Sequence, residues 1–94
     1  YEVRDNADAG RFELDIENGA LAVLDYRLNG AVMTLTHTGV PPEFEGKGMA
    51  ARLVKGALDR IQARGLKIVV RCWYVDKFIE RNPEYATLRA GRSG

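Results

Sequence analysis

The sequence predicts an α+β fold, of the three-layer α/β type in which helices pack on a mixed sheet. Three segments of alternating apolar and polar residues are separated by Asn-Gly pairs, which indicates an antiparallel meander. A segment with helical spacing and then a short β-rich segment follow. Because a strand, a long helix and another strand usually form a right-handed crossover, we expect the last strand to run parallel to the third. A C-terminal helix completes the predicted fold.

The composition is that of one globular domain, which we expect to span residues 1–94. The net charge is +1, from 14 basic and 13 acidic residues that are well mixed, so we expect no nucleic-acid partner. The sequence shows no apolar run near the ~20 residues of a membrane span and no signal-peptide pattern, so we expect no membrane partner. Cys72, the single cysteine, excludes an internal disulfide and favours a reducing, cytoplasmic location. We expect a monomer or a weak dimer.

The meander is predicted to run from about Arg11 to Thr38, through the segments RFELDIE, ALAVLDYRL and AVMTLTHT. The polar residues 1–10 before it are expected to form a loop. Asn18-Gly19 and Asn29-Gly30 are each expected to close a two-residue type I′ turn, which needs a positive φ at both central residues.

The second half is predicted to be mainly helical. Residues 39–48 are expected to form a loop, and a helix is expected from residue 48 or 49 to residue 64, with Gly65 as its left-handed C-terminal cap. The β-rich segment LKIVVRCW is predicted to be a buried strand. A helix over YVDKFIERN is predicted next, and Pro83 ends it because proline cannot continue a helix.

The segment EGKGMAARLVKGAL joins the third strand to the first helix. The N–H groups at a helix start lack partners, and the helix dipole is positive there. Glycine lets a large ligand approach the backbone closely. The backbone from Gly46 to Ala51 therefore predicts a diphosphate site, to which Lys47 would add a positive charge. The segment is neither the ATP-type phosphate loop nor the dinucleotide fingerprint, which need other residues at these spacings.

This segment resembles the acetyl-coenzyme A loop of the GCN5-related N-acetyltransferases (GNAT), Gln/Arg-x-x-Gly-x-Gly/Ala. Gly48 and Ala50 match that motif, whereas Glu45 stands where Gln or Arg is usual. Over about residues 12–85, HTGVPPEFEGKGMA and RCWYVDKFIERNPEY are similar to the small stand-alone members of the family. The resemblance implies a GNAT-like fold with coenzyme A in the splay between the third and last strands.

We expect three parts of the chain to contact acetyl-CoA. The end of the third strand would pair with the pantetheine arm, the glycine loop would hold the diphosphate, and an asparagine of the last helix would meet the pantetheine. The predicted cofactor-binding residues are Thr38, Gly39, Val40, Glu45, Gly46, Lys47, Gly48, Met49, Ala50, Ala51 and Asn82. No metal site is predicted.

Two residues at strand ends are the first catalytic candidates. Cys72 ends the last predicted strand, where a thiol is placed either to attack an acetyl thioester or to pack as a small buried hydrophobe. His37, the single histidine, ends the third strand. Histidine is a common general base in proteins, so His37 is either a general base for an amine or a hydrogen-bonded strand end.

Two further candidates lie in the loop and near the C-terminus. Glu43 is placed either to accept a proton from an ammonium substrate or to remain solvated. The resemblance implies that Tyr85 protonates the departing coenzyme A thiolate, and the alternative is an aromatic anchor for the C-terminus. The predicted function is acetyl transfer from acetyl-CoA to an unidentified amine, directly or through Cys72. The alternatives are a coenzyme A-binding module that acts through a protein partner with weak or no catalysis, and a phosphate-binding scaffold without coenzyme A.

Overall fold

The fold is one mixed sheet of five strands with two α-helices, in a computed structural model that describes residues 2–90. The strands are β1 (Val3–Asn6), β2 (Arg11–Asp15), β3 (Leu21–Asn29), β4 (Val32–Gly39) and β5 (Lys67–Val70), in that order across the sheet. The helices are α1 (Met49–Ala63) and α2 (Trp73–Arg81). β1 to β4 are antiparallel, and β5 pairs with β4 in parallel. The predicted α+β class, meander and crossover are therefore confirmed.

Residues 1–10 were expected to form a loop, but Val3–Asn6 form the first strand, β1. Tyr1 lies outside the described residues. Val3 is buried and pairs with Leu14 of β2. Arg60 of α1 donates a hydrogen bond of 2.8 Å from its Nε to the carbonyl of Val3. A strand of four residues with one buried apolar side chain shows no clear alternation, so its partners in the sheet and on α1 determine its conformation.

The turn between β2 and β3 is the predicted type I′ turn. Asn18 has a φ of 61° and Gly19 a φ of 78°, so both central residues lie in the left-handed region. The Ala20 N–H donates to the carbonyl of Glu17 over 3.2 Å and closes the turn.

The turn between β3 and β4 is displaced by one residue from the prediction. Asn29 belongs to β3 and pairs with Val32, so the two central residues are Gly30 and Ala31. Only Gly30 has a positive φ, 64°. A positive φ at the first central residue alone is typical of a type II′ turn, and the predicted type I′ turn at Asn29-Gly30 is wrong.

Helix α1 ends as predicted at a glycine cap. Gly65 has a φ of 72°, its N–H donates to Gln62 over 3.1 Å, and the Leu66 N–H donates to Ile61 over 3.2 Å. These two bonds define a Schellman motif, which satisfies carbonyls that a helix end leaves unpaired. After α2, Pro83 begins a short 3₁₀ helix over Pro83–Leu88.

The core lies on one face of the sheet. Alternate strand residues point to it and form a single cluster with both helices, so α1 and α2 cover the same face. Among the described residues the helices therefore form one layer, whereas the predicted three-layer type has helices on both faces of the sheet. The sheet contributes Phe12, Leu14, Ala22, Leu24, Met33, Leu35 and Ile68, and the helices contribute Leu53, Val54, Ala57, Leu58, Ile61, Val75 and Ile79. The other face is called the open face below. Within residues 2–90, neither helix is long and apolar enough to cross a bilayer.

Candidate functional site

The strands β4 and β5 separate at their carboxyl ends. They pair from Val32–Lys67 to Leu35–Val70, and the Arg71 N–H adds a bond of 2.9 Å to the carbonyl of Leu35. Beyond that bond β4 continues to Gly39 in contact with β3, while the other chain turns into α2.

A β-bulge at Thr36 accompanies this separation. Leu35 pairs with Tyr26 and His37 pairs with Asp25, so Thr36 is an extra residue on β4. Its hydroxyl donates to the Asp25 carbonyl over 3.2 Å. Because a bulge bends its strand and increases the twist, β4 leaves the line of β5 and opens a cleft in the sheet.

A cavity of about 570 Å³ occupies this cleft and continues to the start of α1. Such a volume is typical of pockets for small molecules and cofactors. Its lining residues are Thr36, His37, Thr38, Val40, Phe44, Glu45, Gly46, Gly48, Met49, Ala50, Arg71, Cys72, Trp73 and Tyr74.

On the helix face of the sheet, the cavity is lined by Thr38 and Cys72. Thr38 lies opposite the buried Leu24, and Cys72 is half-buried against the core. The Thr38 Oγ1 and the Cys72 Sγ are 3.2 Å apart, within hydrogen-bond distance for a sulfur. A hydroxyl from β4 and a thiol from the residue that precedes α2, rather than from the predicted strand end, thus meet where the strands part.

On the open face, the cavity is lined by His37 and Arg71. A Cβ placed on Gly39 would lie 3.4 Å from His37 Nε2 and 3.6 Å from a Val23 methyl, so the imidazole lies over the Gly39 backbone. Val23 alternates with core residues and therefore points to the open face. Arg71 follows Val70, which packs against the core, so alternation directs the guanidinium to the open face as well. The cavity is consequently lined by side chains of both faces.

The start of α1 forms the other end of the cavity. Gly46 and Gly48 have φ values of 79° and 80°, and no atom lies within 4 Å of a Cβ placed on either. No side chain caps the helix, and its first backbone bond runs from Arg52 N–H to the Gly48 carbonyl over 3.1 Å. The N–H groups of residues 49–51 precede that bond and form the positive end of the helix dipole. These groups suit a diphosphate, because the glycines leave the backbone accessible and the first N–H groups of a helix have no partner within it.

The predicted site residues fall into three groups. The structure brings most of them to the main cavity: His37, Thr38, Val40, Glu45, Gly46, Gly48, Met49, Ala50 and Cys72. Ala51 and Asn82 line a smaller neighbouring cavity of about 230 Å³, together with Tyr74 and residues of α2. Gly39, Glu43, Lys47 and Tyr85 line neither cavity.

Tyr85 lies in the core, where its ring packs 6.0 Å from that of Phe78. Its hydroxyl donates to Asp59 of α1 over 2.6 Å, and Asp59 also accepts from Lys55 over 2.9 Å. Burial and this bond to a carboxylate raise the pKa of Tyr85. The geometry is that of an aromatic anchor between the C-terminal segment and α1, the alternative weighed for this residue.

Five residues line the cavity without being among the predicted site residues: Thr36, Phe44, Arg71, Trp73 and Tyr74. Thr36 enters the site through the bulge, which depends on pairing with β3 and has no local signal. Phe44 does have a local signal in the sequence. It is an isolated aromatic residue between two glutamates, in a loop where exposure of the ring would be unfavourable.

Comparison with known proteins agrees with this geometry. A family model described as GCN5-related N-acetyl-transferase matches residues 11–88. Protein NATD1 of Bos taurus is 43% identical over 63 residues, which cover 66% of this chain and 56% of the relative. Protein NATD1 of Homo sapiens is 41% identical with the same coverage, and that of Danio rerio is 40% identical over 66% of this chain and 57% of the relative. The chain therefore matches just over half the length of these relatives.

A solved structure shows the same fold. The solution structure of a GCN5-like protein from Staphylococcus aureus superposes with a TM-score of 0.70 at 28% sequence identity, covering 98% of this chain and 90% of that chain. The family model covers most of the sequence, and the predicted family is thereby confirmed. The chain belongs to the GCN5-related N-acetyltransferase family.

Proposed function

We propose that this protein binds acetyl-CoA and transfers the acetyl group to an amine. The observation that supports this most is the single cavity that joins the glycine loop of α1 to the thiol of Cys72 and the imidazole of His37. A diphosphate site and a pair of reactive side chains thus border one space. Holding two reactants in that space would supply much of the rate acceleration.

In this proposal the cofactor lies on the helix face. The backbone of residues 46–51 holds its diphosphate, because Gly46 and Gly48 leave room for close approach. The pantetheine arm pairs with β4 near Thr38 to Val40, where no strand of residues 2–90 covers the edge beyond Leu35. When bound, acetyl-CoA supplies an activated acyl group as a thioester.

The acceptor amine reaches the cleft from the open face. His37 lies there and accepts the proton that the amine must lose before or during attack. In the direct route, the amine nitrogen bonds to the acetyl carbon, the thioester carbon–sulfur bond breaks, and coenzyme A leaves with the electron pair of that bond.

In the alternative route, Cys72 acts first. The Cys72 thiol loses its proton and its sulfur bonds to the acetyl carbon, while the carbon–sulfur bond of acetyl-CoA breaks and coenzyme A leaves with that electron pair and takes up a proton. The amine nitrogen then bonds to the same carbon, and the Cys72 sulfur leaves with its electron pair and recovers a proton from the amine. The 3.2 Å contact with Thr38 orients the sulfur in the cleft. The two routes differ in whether acetyl is ever bonded to the protein.

Mass spectrometry of the intact protein after incubation with acetyl-CoA distinguishes the direct route from the route through Cys72. The thioester route predicts a gain of one acetyl group on Cys72 that hydroxylamine removes, and loss of both adduct and turnover in Cys72→Ala. The direct route predicts no adduct and retained turnover in that variant. Coenzyme A binding without acetylation of any amine in a broad panel would contradict the proposed activity and leave a coenzyme A-binding module.

A further inference from the structure

Arg71 lacks the carboxylate partner that several other arginines among residues 2–90 have. Four arginines lie 2.6–2.9 Å from a carboxylate oxygen: Arg4, Arg11, Arg64 and Arg89. Among residues 2–90, Arg71 makes no such pair and no side-chain hydrogen bond, and its side chain is exposed. It is also the one Lys or Arg that lines the main cavity in this part of the chain. A guanidinium with free donors at a cavity is suited to bind a carboxylate in a bidentate manner.

Trp73 lies two residues further and lines the same cavity. It is 73% exposed, and Leu28 is the only other exposed large hydrophobic residue among those described. The indole packs edge-on against Tyr74, with 6.0 Å between the ring centroids. Arg71 and Trp73 together border the cavity with a positive group and an apolar surface.

The position of Arg71 indicates that it contacts the acceptor and not the cofactor. The diphosphate site is formed by the backbone of α1, and the pantetheine is placed on the helix face beside Thr38 and Cys72. Arg71 points to the open face, as His37 does, on the opposite side of the cleft. Asp25 pairs with His37 across β3 and β4, and such pairs have Cβ atoms about 5 Å apart. A negative group thus lies near His37 and a positive group lies across the cleft.

We propose that Arg71 binds a carboxylate of the acceptor, so that the acceptor class is small amino acids and similar amines that carry an acid group near the nitrogen. This proposal rests on the proposed function. Asp25 and His37 attract the ammonium end, Arg71 binds the carboxylate end, and Trp73 covers the carbon chain between them.

Binding of the acetylated products tests the site without turnover. NMR titrations of the coenzyme A-saturated protein would compare N-acetylglycine with N-acetylglycinamide, and N-acetyl-β-alanine with its amide. We expect the acid of at least one pair to bind about tenfold more tightly than the amide, the range for hydrogen bonds to charged groups. Arg71→Gln should remove that preference, and Arg71→Lys should restore part of it.

Arg27→Gln is the matched control, since Arg27 is also exposed on the open face but lies outside the cavity. It should leave the preference unchanged. Equal binding of acid and amide in both pairs would overturn the proposal, as would a fall in coenzyme A affinity in Arg71→Gln, which would assign Arg71 to the cofactor. An acid preference in a protein that acetylates no amine would uphold the site and refute acetyl transfer.

Discussion

At the scale of single residues, Glu13 is the clearest case of a polar side chain that depends on its neighbours. It is 2% exposed on the open face and accepts hydrogen bonds from Arg4 (2.7 Å), Asn6 (3.0 Å) and Arg11 (2.6 Å). These bonds favour the charged form, the one from Arg11 most, and lower the pKa of Glu13 from 4.5 to about 2.

This shift predicts how stability changes in acid. Because the folded pKa is below the unfolded one, the carboxylate stabilises the fold above pH 4.5, and that contribution is lost as the pH falls to about 2. Urea unfolding between pH 5 and pH 2 should show a smaller loss of stability in Glu13→Gln than in the parent. Glu17→Gln, at an exposed turn position, serves as the control and should follow the parent. A parallel decline of the Glu13→Gln and parent proteins would contradict the assignment.

At the scale of elements, the contact of β1 with α1 explains a glycine inside a helix. A Cβ placed on Gly56 would lie 2.4 Å from a methyl and 2.8 Å from the Cβ of Val3. Real Cβ atoms do not approach so closely, and Val3 is β-branched and held in a strand, so it has little freedom to move. Gly56 therefore lets α1 pack directly on the first strand.

Gly56→Ala is predicted to destabilise the protein by about 1–3 kcal/mol, the usual cost of overpacking. At an exposed helix position the same change stabilises by about 1 kcal/mol, because alanine has the higher helix propensity. Thermal or urea unfolding shows whether Gly56→Ala lowers or raises the free energy of unfolding. Val3→Ala in the Gly56→Ala background should recover part of the loss, whereas additive losses in the double variant would show that the two side chains do not compete for space.

The same elements show what the sequence predicts and what it does not. The periodicity of β2 to β5 and of both helices is local, and so is the cap at Gly65, so all were predictable. β1 was not predictable, because its strand conformation depends on contacts with Leu14, Glu13 and Arg60, which lie elsewhere in the chain. The turn after β3 was displaced because strand pairing placed Asn29 in the ladder, and the dipeptide alone does not determine that register.

At the scale of the whole molecule, the site also has a part that the sequence predicts and a part that it does not. The glycine loop was predictable because the helix start that accompanies it is a local feature. The meeting of Thr38 and Cys72 was not, because it depends on the bulge at Thr36 and on the parallel pairing of β5. Tyr85 was assigned to the site by resemblance alone, and its sequence position does not reveal that the hydroxyl is bonded to Asp59.

The proposed contact between coenzyme A and the backbone at the start of α1 can be measured by calorimetric titration. Coenzyme A would be titrated into the parent, Gly48→Val and Gly30→Val. Both glycines have a positive φ and open space around a Cβ, so both variants carry similar strain, but only Gly48 lies at the cavity. Circular dichroism would establish that each variant is folded at the temperature used.

We expect the parent and Gly30→Val to bind coenzyme A with equal affinity. Gly48→Val should bind at least about tenfold more weakly, because a branched side chain occupies the space of the diphosphate. Adenosine diphosphate should bind more weakly than coenzyme A, since it lacks the pantetheine arm that pairs with β4. Unchanged coenzyme A affinity in a folded Gly48→Val protein would show that the backbone at the start of α1 does not hold the diphosphate.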